Sequence, residues 1–452
     1  MQIINIKSYT MSTKNSENLK QRRAFLKTSA IIAGGTLISN IPFSGVYAEE
    51  GGVIKIALIG CGNRGTGAAF QALATKYNIK LVAMADAFRD RIDKSYEALT
   101  QKFGKDKVDV PEDKKFVGFD SYKHAIAEAD VVLLVSPPGF RPVHFEEAVR
   151  KNKHVFMEKP VATDSPGIRS VLATAEEAKR KKLNVVVGLQ RRYQKNYRET
   201  LKRIQDGVAG DIVSGQVYWN SGGVWVNPRQ SGQTEMEYQM RNWYYFNWLC
   251  GDHINEQHVH NIDVANWVKN SYPVSAQGTG SRFLRTGKDH GEIFDNHTVE
   301  FIYADGAVIQ SQCRHHEGTL NRVDESFQGT KGRVYLSANN SAKLWDTKGN
   351  VMFNYAGKGD PNPYQTEHDE LFAAIDKGEY KFADAERVAK STMTAIMGRF
   401  ATYSGKEVKW EDALNSQVNL MPDTLSWDAM PKILPDADGN YPYAIPGKSK
   451  VV

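Results

Sequence analysis

The sequence predicts an α/β chain whose N-terminal part is a doubly wound parallel sheet, and three observations carry that prediction. Short β-branched runs alternate with stretches of helical composition from Val53 to Gly188, the first run ends in a glycine-rich turn, and the second ends on an acidic residue. Beyond Gly188 the rhythm changes to closely spaced strands followed by helices, which predicts a second α/β domain built on its own sheet. The 452 residues are 41% hydrophobic and 24% charged, enough for two cores and unlike disordered, collagenous or disulfide-rich chains.

The first segment, residues 1–48, reads as an address. Lys7, Lys14, Lys20, Arg22, Arg23 and Lys27 face Glu17 alone, so this segment holds +5 of the formal +6 and leaves the body nearly neutral. A neutral body without a basic block gives no electrostatic reason to expect nucleic acid or a membrane surface as partner. Gln21-Arg22-Arg23-Ala24-Phe25-Leu26-Lys27, a soft apolar stretch from Ala30 to Pro42, and Val46-Tyr47-Ala48 before Glu49-Glu50 resemble a twin-arginine export signal. That resemblance implies an exported, periplasmic protein cleaved near Ala48 and folded, with its cofactor, before transport. Gln21 departs from the pattern, since Ser or Thr usually stands there. Gly34, Gly35, Ser39 and Asn40 break the apolar stretch too often for a comfortable membrane span. Cys61, Cys250 and Cys313 are too few and too far apart for a disulfide framework or a metal-binding pair.

Residues 49–188 carry the doubly wound pattern. Val53 to Ile59 is a strand, Gly60-Cys61-Gly62-Asn63-Arg64-Gly65 is a turn, and Gly67 to Tyr77 has helical composition. Lys80 to Ala85 forms the next strand and stops at Asp86. This is a dinucleotide-binding fingerprint in its proper context. Gly60 permits the tight turn, Gly62 lets the backbone approach a pyrophosphate, and Gly65 lets the helix lie close on the sheet. The helix N-terminus at Asn63 and Arg64 offers free N–H groups to phosphate. Asp86 accepts ribose hydroxyls and repels a 2′-phosphate, which favours NAD over NADP, while Arg89 works the other way. Val131 to Val135 is a buried strand leaving through Ser136-Pro137-Pro138-Gly139, followed by a helix near Val143 to Lys151 and the strand His154 to Met157. Glu158-Lys159-Pro160 follows, then a helix over Ile168 to Lys181 and the strand Asn184 to Gly188. The charged insertion from Phe103 to Phe119 has no assignment.

The glycine turn, the Ser136-Pro137-Pro138 loop and Glu158-Lys159-Pro160 resemble, in type and spacing, those of the glucose-fructose oxidoreductase and inositol dehydrogenase family, Gfo/Idh/MocA. The resemblance runs from about Val53 to the end of the chain. It implies a Rossmann domain followed by an α/β domain with an open, mostly antiparallel sheet whose outer face often forms a subunit contact, hence a homo-oligomer. It further implies a cofactor site at Gly60, Gly62, Asn63, Arg64, Gly65, Asp86, Ser136, Pro137, Glu158 and Lys159, with Lys159 beside nicotinamide and substrate.

Residues 189–355 read as the second domain. A strand near Gln216 to Asn220 precedes an aromatic stretch, Trp225, Tyr238, Trp243, Tyr244, Tyr245, Phe246 and Trp248, interleaved with Arg229, Arg241, Asn242 and Asn247. Such a stretch suits stacking against a sugar and equally suits a satellite core. Next comes a helix from Asp252, its cap, to Trp267, with His253, Glu256 and His260 along one face and His258 roughly opposite. Three readings compete there: histidines satisfied by neighbours, a metal site of two His and a carboxylate, and general acid/base chemistry. The spacing does not reproduce H-E-x-x-H, and we assign no metal ligands. The family's D-x-x-x-H helix motif aligns with Glu256-x-x-x-His260, Glu standing for the more frequent Asp. It implies His260 as acid/base, Lys159 as polariser or relay of the hydroxyl proton, Glu256 as the residue orienting His260, and His258 as an alternative base.

Strands over Ser275–Leu284, His297–Tyr303, Val308–Cys313, Asp324–Gln328 and Gly332–Leu336 alternate well enough for a sheet, with Ala304-Asp305-Gly306 closing a hairpin. Residues 356–452 supply helices over Glu367–Ile375 and Ala383–Tyr403 that return toward the first domain, then a proline-rich tail from Asn415, extended and bordering the cleft or wrapping a neighbour. The resemblance then implies an exported NAD-dependent oxidoreductase moving a hydride between a secondary hydroxyl of a sugar or glycoside, ring carbon 3 among them, and nicotinamide. A redox-neutral NAD-dependent glycosidase working by oxidation, elimination and reduction is the alternative. A non-catalytic nucleotide-binding scaffold is a third reading, against which Lys159 and His260 in their motif positions argue.

Overall fold

A computed structural model describes residues 52–452; the expected export segment, 1–48, lies outside the described residues. Six strands form a wholly parallel sheet: β1 (Ile54–Ile59), β2 (Ile79–Asp86), β3 (Lys115–Val117), β4 (Val131–Leu134), β5 (His154–Met157) and β6 (Val185–Val187). Their order is β3-β2-β1-β4-β5-β6, so the chain reverses direction across the sheet between β1 and β4. A crevice opens at that switch point, outside the carboxyl ends of the strands. β4 and β6 are buried along their whole length, as strands covered by helices on both faces must be.

Two differences from the sequence reading lie in this domain. The first helix is Asn63–Leu73, four residues earlier than its composition predicts, because it begins directly at the glycine turn with Gly62 as its extended N-cap. The charged insertion contains β3, and Leu81 bridges in parallel to Val108. Three residues opening on a lysine are too short and too polar for a strand signal; pairing with β2 makes them one.

The second sheet has nine strands: β7 (Ile212–Ser221), β8 (Ser275–Ser281), β9 (Asn296–Ile302), β10 (Val308–His315), β11 (Arg322–Gly329), β12 (Gly332–Ser337), β13 (Ser341–Asp346), β14 (Val351–Ala356) and β15 (Val408–Lys409). Neighbours are antiparallel except for β7 and β10, which run parallel. The fold is therefore the expected one: a parallel Rossmann sheet followed by a mixed, mostly antiparallel sheet. β14 escapes the sequence reading because it has no fully buried position to create an alternation, and β13, which alternates, is a further strand the sequence reading lacks. The helices Val259–Lys269 and Asp384–Ser404 cover one face of this sheet, and Pro363–Asp376 packs against Asn63–Leu73 of the first domain.

The helix expected over 252–267 is two helices, His253–Glu256 and Val259–Lys269. His258 N donates to His253 O five residues back and His260 N to Gln257 O three residues back, so a wide turn is followed by a tight one. Residues 416–452 form no helix or strand, yet they are packed: Leu420, Leu425, Trp427 and Ile433 lie against a separate apolar cluster that includes Phe140, Met240 and Trp248. Among the described residues no helix is long and apolar enough to cross a membrane.

Candidate active site

The crevice at the switch point is a cavity of about 680 Å³ lined from both sheets. Its floor is the glycine turn. Gly60 has φ +94°, and a side chain there would meet Ser136 N at 2.4 Å; one at Gly65 would meet Gly60 O at 1.8 Å. A side chain on Gly62 would meet nothing within 4 Å and would project from the cavity wall, so the room left by this glycine is available to a ligand. The Asp86 carboxylate accepts from Cys61 N at 2.6 Å and Phe88 N at 3.0 Å, which aims it across the turn. Burial pushes its carboxyl up from the ordinary value despite those donors. The open wall at Gly62, the helix starting at Asn63 and the carboxylate at the end of β2 together fit a dinucleotide.

Arg64 is held at the rim. Its guanidinium lies 2.6 Å from Glu158 Oε1 and 5.2 Å from the centroid of the Tyr364 ring. Ser136 Oγ meets His144 Nδ1 at 3.0 Å, and the buried Arg141 donates to Leu134 O at 2.5 Å and to Ser136 O at 2.6 Å, fixing the loop that leads to Pro137. Gly60, Gly62, Asn63, Arg64, Gly65, Asp86, Ser136, Pro137, Glu158 and Lys159 all line this one cavity, together with Glu256 and His260 from the second domain.

At the β5 end the two domains meet. Lys159 Nζ donates to the Glu256 carbonyl at 2.5 Å and to Glu256 Oε1 at 3.0 Å. Glu256 therefore holds Lys159, whereas the sequence reading has it orienting His260. His260 packs against the Trp219 ring at 5.8 Å with planes 21° apart, and its Nδ1 is buried without a hydrogen-bond partner. Burial, then the charges of Lys159, Arg191 and Arg64, hold the His260 imidazole well below its ordinary pKa. Its neutral form is thereby favoured, and the unpartnered Nδ1 leaves spare hydrogen-bonding capacity on a ring that lines the cavity. Glu256 is pushed up by burial, opposed by Lys159.

The other histidines of the 252–267 stretch are elsewhere. His258 Nε2 meets Ser311 Oγ at 2.7 Å and does not line the cavity. His253 lies off the cavity as well, its Nδ1 2.8 Å from Asp252 Oδ1, with His297 Nε2 3.1 Å from Asp252 Oδ2. The two-turn break separates the single ionisable face that helical spacing predicts. Asp252, His253 and His297 are metal-ligand types within 4.8 Å of one another, but the carboxylate also accepts from Tyr403 Oη at 2.6 Å and Phe294 N at 2.9 Å. A carboxylate so supplied with donors is accounted for by its hydrogen bonds.

The aromatic stretch divides between its two readings. Tyr238, Tyr245, Phe246 and Trp248 are buried in the satellite core, while Trp225 and Trp243 line the cavity. Sequence reasoning missed Trp219, Gln257 and Tyr364 as lining residues. Trp219 lies within the expected strand and an alternation could flag it; Tyr364 is some 300 positions from the glycine turn, and no local signal points to it.

Residues 54–188 match the model of the oxidoreductase family with an NAD-binding Rossmann fold, Gfo/Idh/MocA. Inositol 2-dehydrogenase of Rhizobium meliloti is 23% identical over 334 residues, which is 72% of this chain and 89% of that protein. A glycosyl hydrolase family 109 protein of Streptomyces coelicolor is 27% identical over 165 residues, 36% of this chain and 33% of that protein. Among solved structures, scyllo-inositol dehydrogenase from Lactobacillus casei with bound NAD(H) and scyllo-inositol superposes with a TM-score of 0.59 at 19% identity, over 80% of this chain and 100% of that one, a likeness of fold. The first domain of this chain thus matches the NAD-binding Rossmann domain of the Gfo/Idh/MocA oxidoreductases, and most of the chain is similar to an inositol dehydrogenase.

Proposed function

We propose that this protein is an NAD-dependent oxidoreductase acting on a secondary hydroxyl of a sugar, glycoside or related polyol, ring carbon 3 of a pyranoside among the candidate positions. The observation that carries the reading is His260 on the same cavity wall as the Lys159–Glu256 pair. NAD, when bound, supplies a hydride acceptor. The chain's own residues supply the rest: the glycine turn and the N-terminus of the helix at Asn63 hold phosphate, and Asp86 holds ribose hydroxyls in preference to a 2′-phosphate. Lys159 offers its ammonium to the carbinol oxygen and Glu256 keeps that ammonium in place. His260 takes the hydroxyl proton, and Trp219 both backs the imidazole and presents an aromatic face to a sugar ring.

The match to a family 109 glycosyl hydrolase protein supports a second reading, a redox-neutral glycosidase in which a ketone acidifies the neighbouring C–H, the glycosidic bond is eliminated, and the ketone is reduced again. Near-ultraviolet absorbance of reduced nicotinamide, followed with excess NAD over a panel of inositols and methyl and aryl glycosides with NMR of the products, tests both. Accumulating reduced cofactor with a ketosugar establishes the dehydrogenase. Released aglycone without lasting reduction establishes the glycosidase, and silence across the panel defeats both. We propose in addition that residues 1–48 direct export to the periplasm and that the chain forms a homo-oligomer. Cell fractionation with the Arg22→Lys/Arg23→Lys variant tests the first, a wild-type protein confined to the cytoplasm counting against it; light scattering of the purified protein tests the second.

A further inference from the structure

The cavity wall nearest Asp86 is built from groups that a glycine turn by itself does not require. Phe88, two residues past Asp86, and Phe119, two residues past β3, line it from the first domain, and Met240 and Arg241 line it from the second. The Arg241 guanidinium sits 3.9 Å from the centroid of the Phe88 ring, and its Nη2 is 3.1 Å from Asp90 Oδ1. Behind both phenylalanines stands Trp427 of the C-terminal tail, 5.1 Å from the Phe88 ring and 4.7 Å from the Phe119 ring. The tail is anchored on either side of Trp427. Leu420 N donates to Asp164 Oδ2 at 2.8 Å, Gln239 Nε2 donates to Ile433 O at 2.8 Å, and the buried Tyr441 gives its hydroxyl to Glu235 Oε1 at 2.5 Å.

Strand order places this wall on the β2–β3 side of the switch point and Lys159 on the β5 side, so the two ends of the cavity face different parts of a dinucleotide. Where Asp86 holds the ribose, the base on that ribose lies against Phe88, Phe119 and Arg241, and a purine is well matched to two aromatic rings and a guanidinium. We propose that Phe88, Phe119 and Arg241, backed by Trp427 as a positioning residue, clamp the adenine end of the dinucleotide between the first domain, the second domain and the tail, so that the protein keeps its cofactor through turnover. The inference rests on the dinucleotide reading above. Release from such a clamp needs Arg241 to part from Asp90 and the tail-backed rings to separate, in addition to the loss of phosphate contacts.

The test loads the purified, full-length protein with NAD, passes it through gel filtration, assays bound nucleotide after denaturation, and times the release of NADH by its fluorescence. Wild type should retain about one NAD per chain, while Trp427→Ala and Arg241→Ala should release nucleotide about tenfold faster, equivalent to about 1.4 kcal/mol. Trp427→Phe should restore retention, which a tail needed only for folding would not single out, and thermal midpoints of the nucleotide-free variants should stay close to wild type. Should Trp427→Ala fail to fold, Arg241→Ala decides. Wild type that empties on the column as fast as the variants, or variants that hold NAD as firmly as wild type, overturns the clamp. Binding with rapid exchange thus defeats only this inference, whereas a protein that binds no NAD at all defeats the functional reading beneath it.

Discussion

Two groups of histidine and acid draw on the stretch Asp252–His260 and differ in their surroundings. Asp252, His253 and His297 are fully buried and turned toward one another, the carboxylate collecting a ring from each side along with the Tyr403 hydroxyl and the Phe294 amide. Glu256 and His260 reach the cavity, where Glu256 is taken by Lys159 and His260 keeps Nδ1 unpartnered. Residue types alone do not separate a structural knot from a reactive pair. The separation comes from place: Asp252, saturated with donors away from the cavity, stabilises the fold, whereas His260 lies on the cavity wall within reach of a ligand.

Replacing one member of each group should give opposite phenotypes. His260→Ala should lower turnover about 1000-fold, within the range of general-base loss, with NAD binding and thermal midpoint nearly unchanged. A collapse in stability instead would place His260 with the structural group. Asp252→Ala should cost about 3 kcal/mol in urea titration, because two imidazoles and a tyrosine lose their common partner inside the protein. Turnover per folded molecule should persist, and its disappearance would move Asp252 into the catalytic group.

Acid should act on both groups through the fold. Burial holds His253 down to about 4 and holds His258, His260 and His315 well below the ordinary value of 6.5. Below pH 6.5 the unfolded chain therefore binds protons that the native state refuses, so stability is full above that pH and falls as pH drops toward 4. Circular dichroism melts across this window should show the decline, and His253→Gln should make it shallower; an unchanged slope would remove His253 from it. The smallest effect contrasts two glycines. Gly62→Ala should weaken NAD binding about tenfold with no loss of stability, since the added methyl enters the cavity, whereas Gly65→Ala should destabilise the fold against the Gly60 carbonyl. Calorimetric titration with NAD alongside melts of both variants measures the difference.

The parallel sheet, its glycine turn and the acid at the end of β2 were legible because each is a local pattern: a β-branched run, a fixed spacing and a helix start within about 35 residues. The antiparallel hairpin of β9 and β10 was legible from Ala304-Asp305-Gly306 for the same reason. β3 and β14 were not, since each is made a strand by a neighbour rather than by its own alternation. Sequence by itself determined the fold class and which segments bear ionisable groups, because periodicity and turn chemistry act between near neighbours. Tertiary structure alone decided that the Asp252–Trp267 stretch breaks at Gln257, that Glu256 answers to Lys159 ninety-seven residues away, and that a tail without secondary structure reaches Phe88. Those outcomes depend on which groups burial leaves in need of a partner, and that is settled only when distant segments pack.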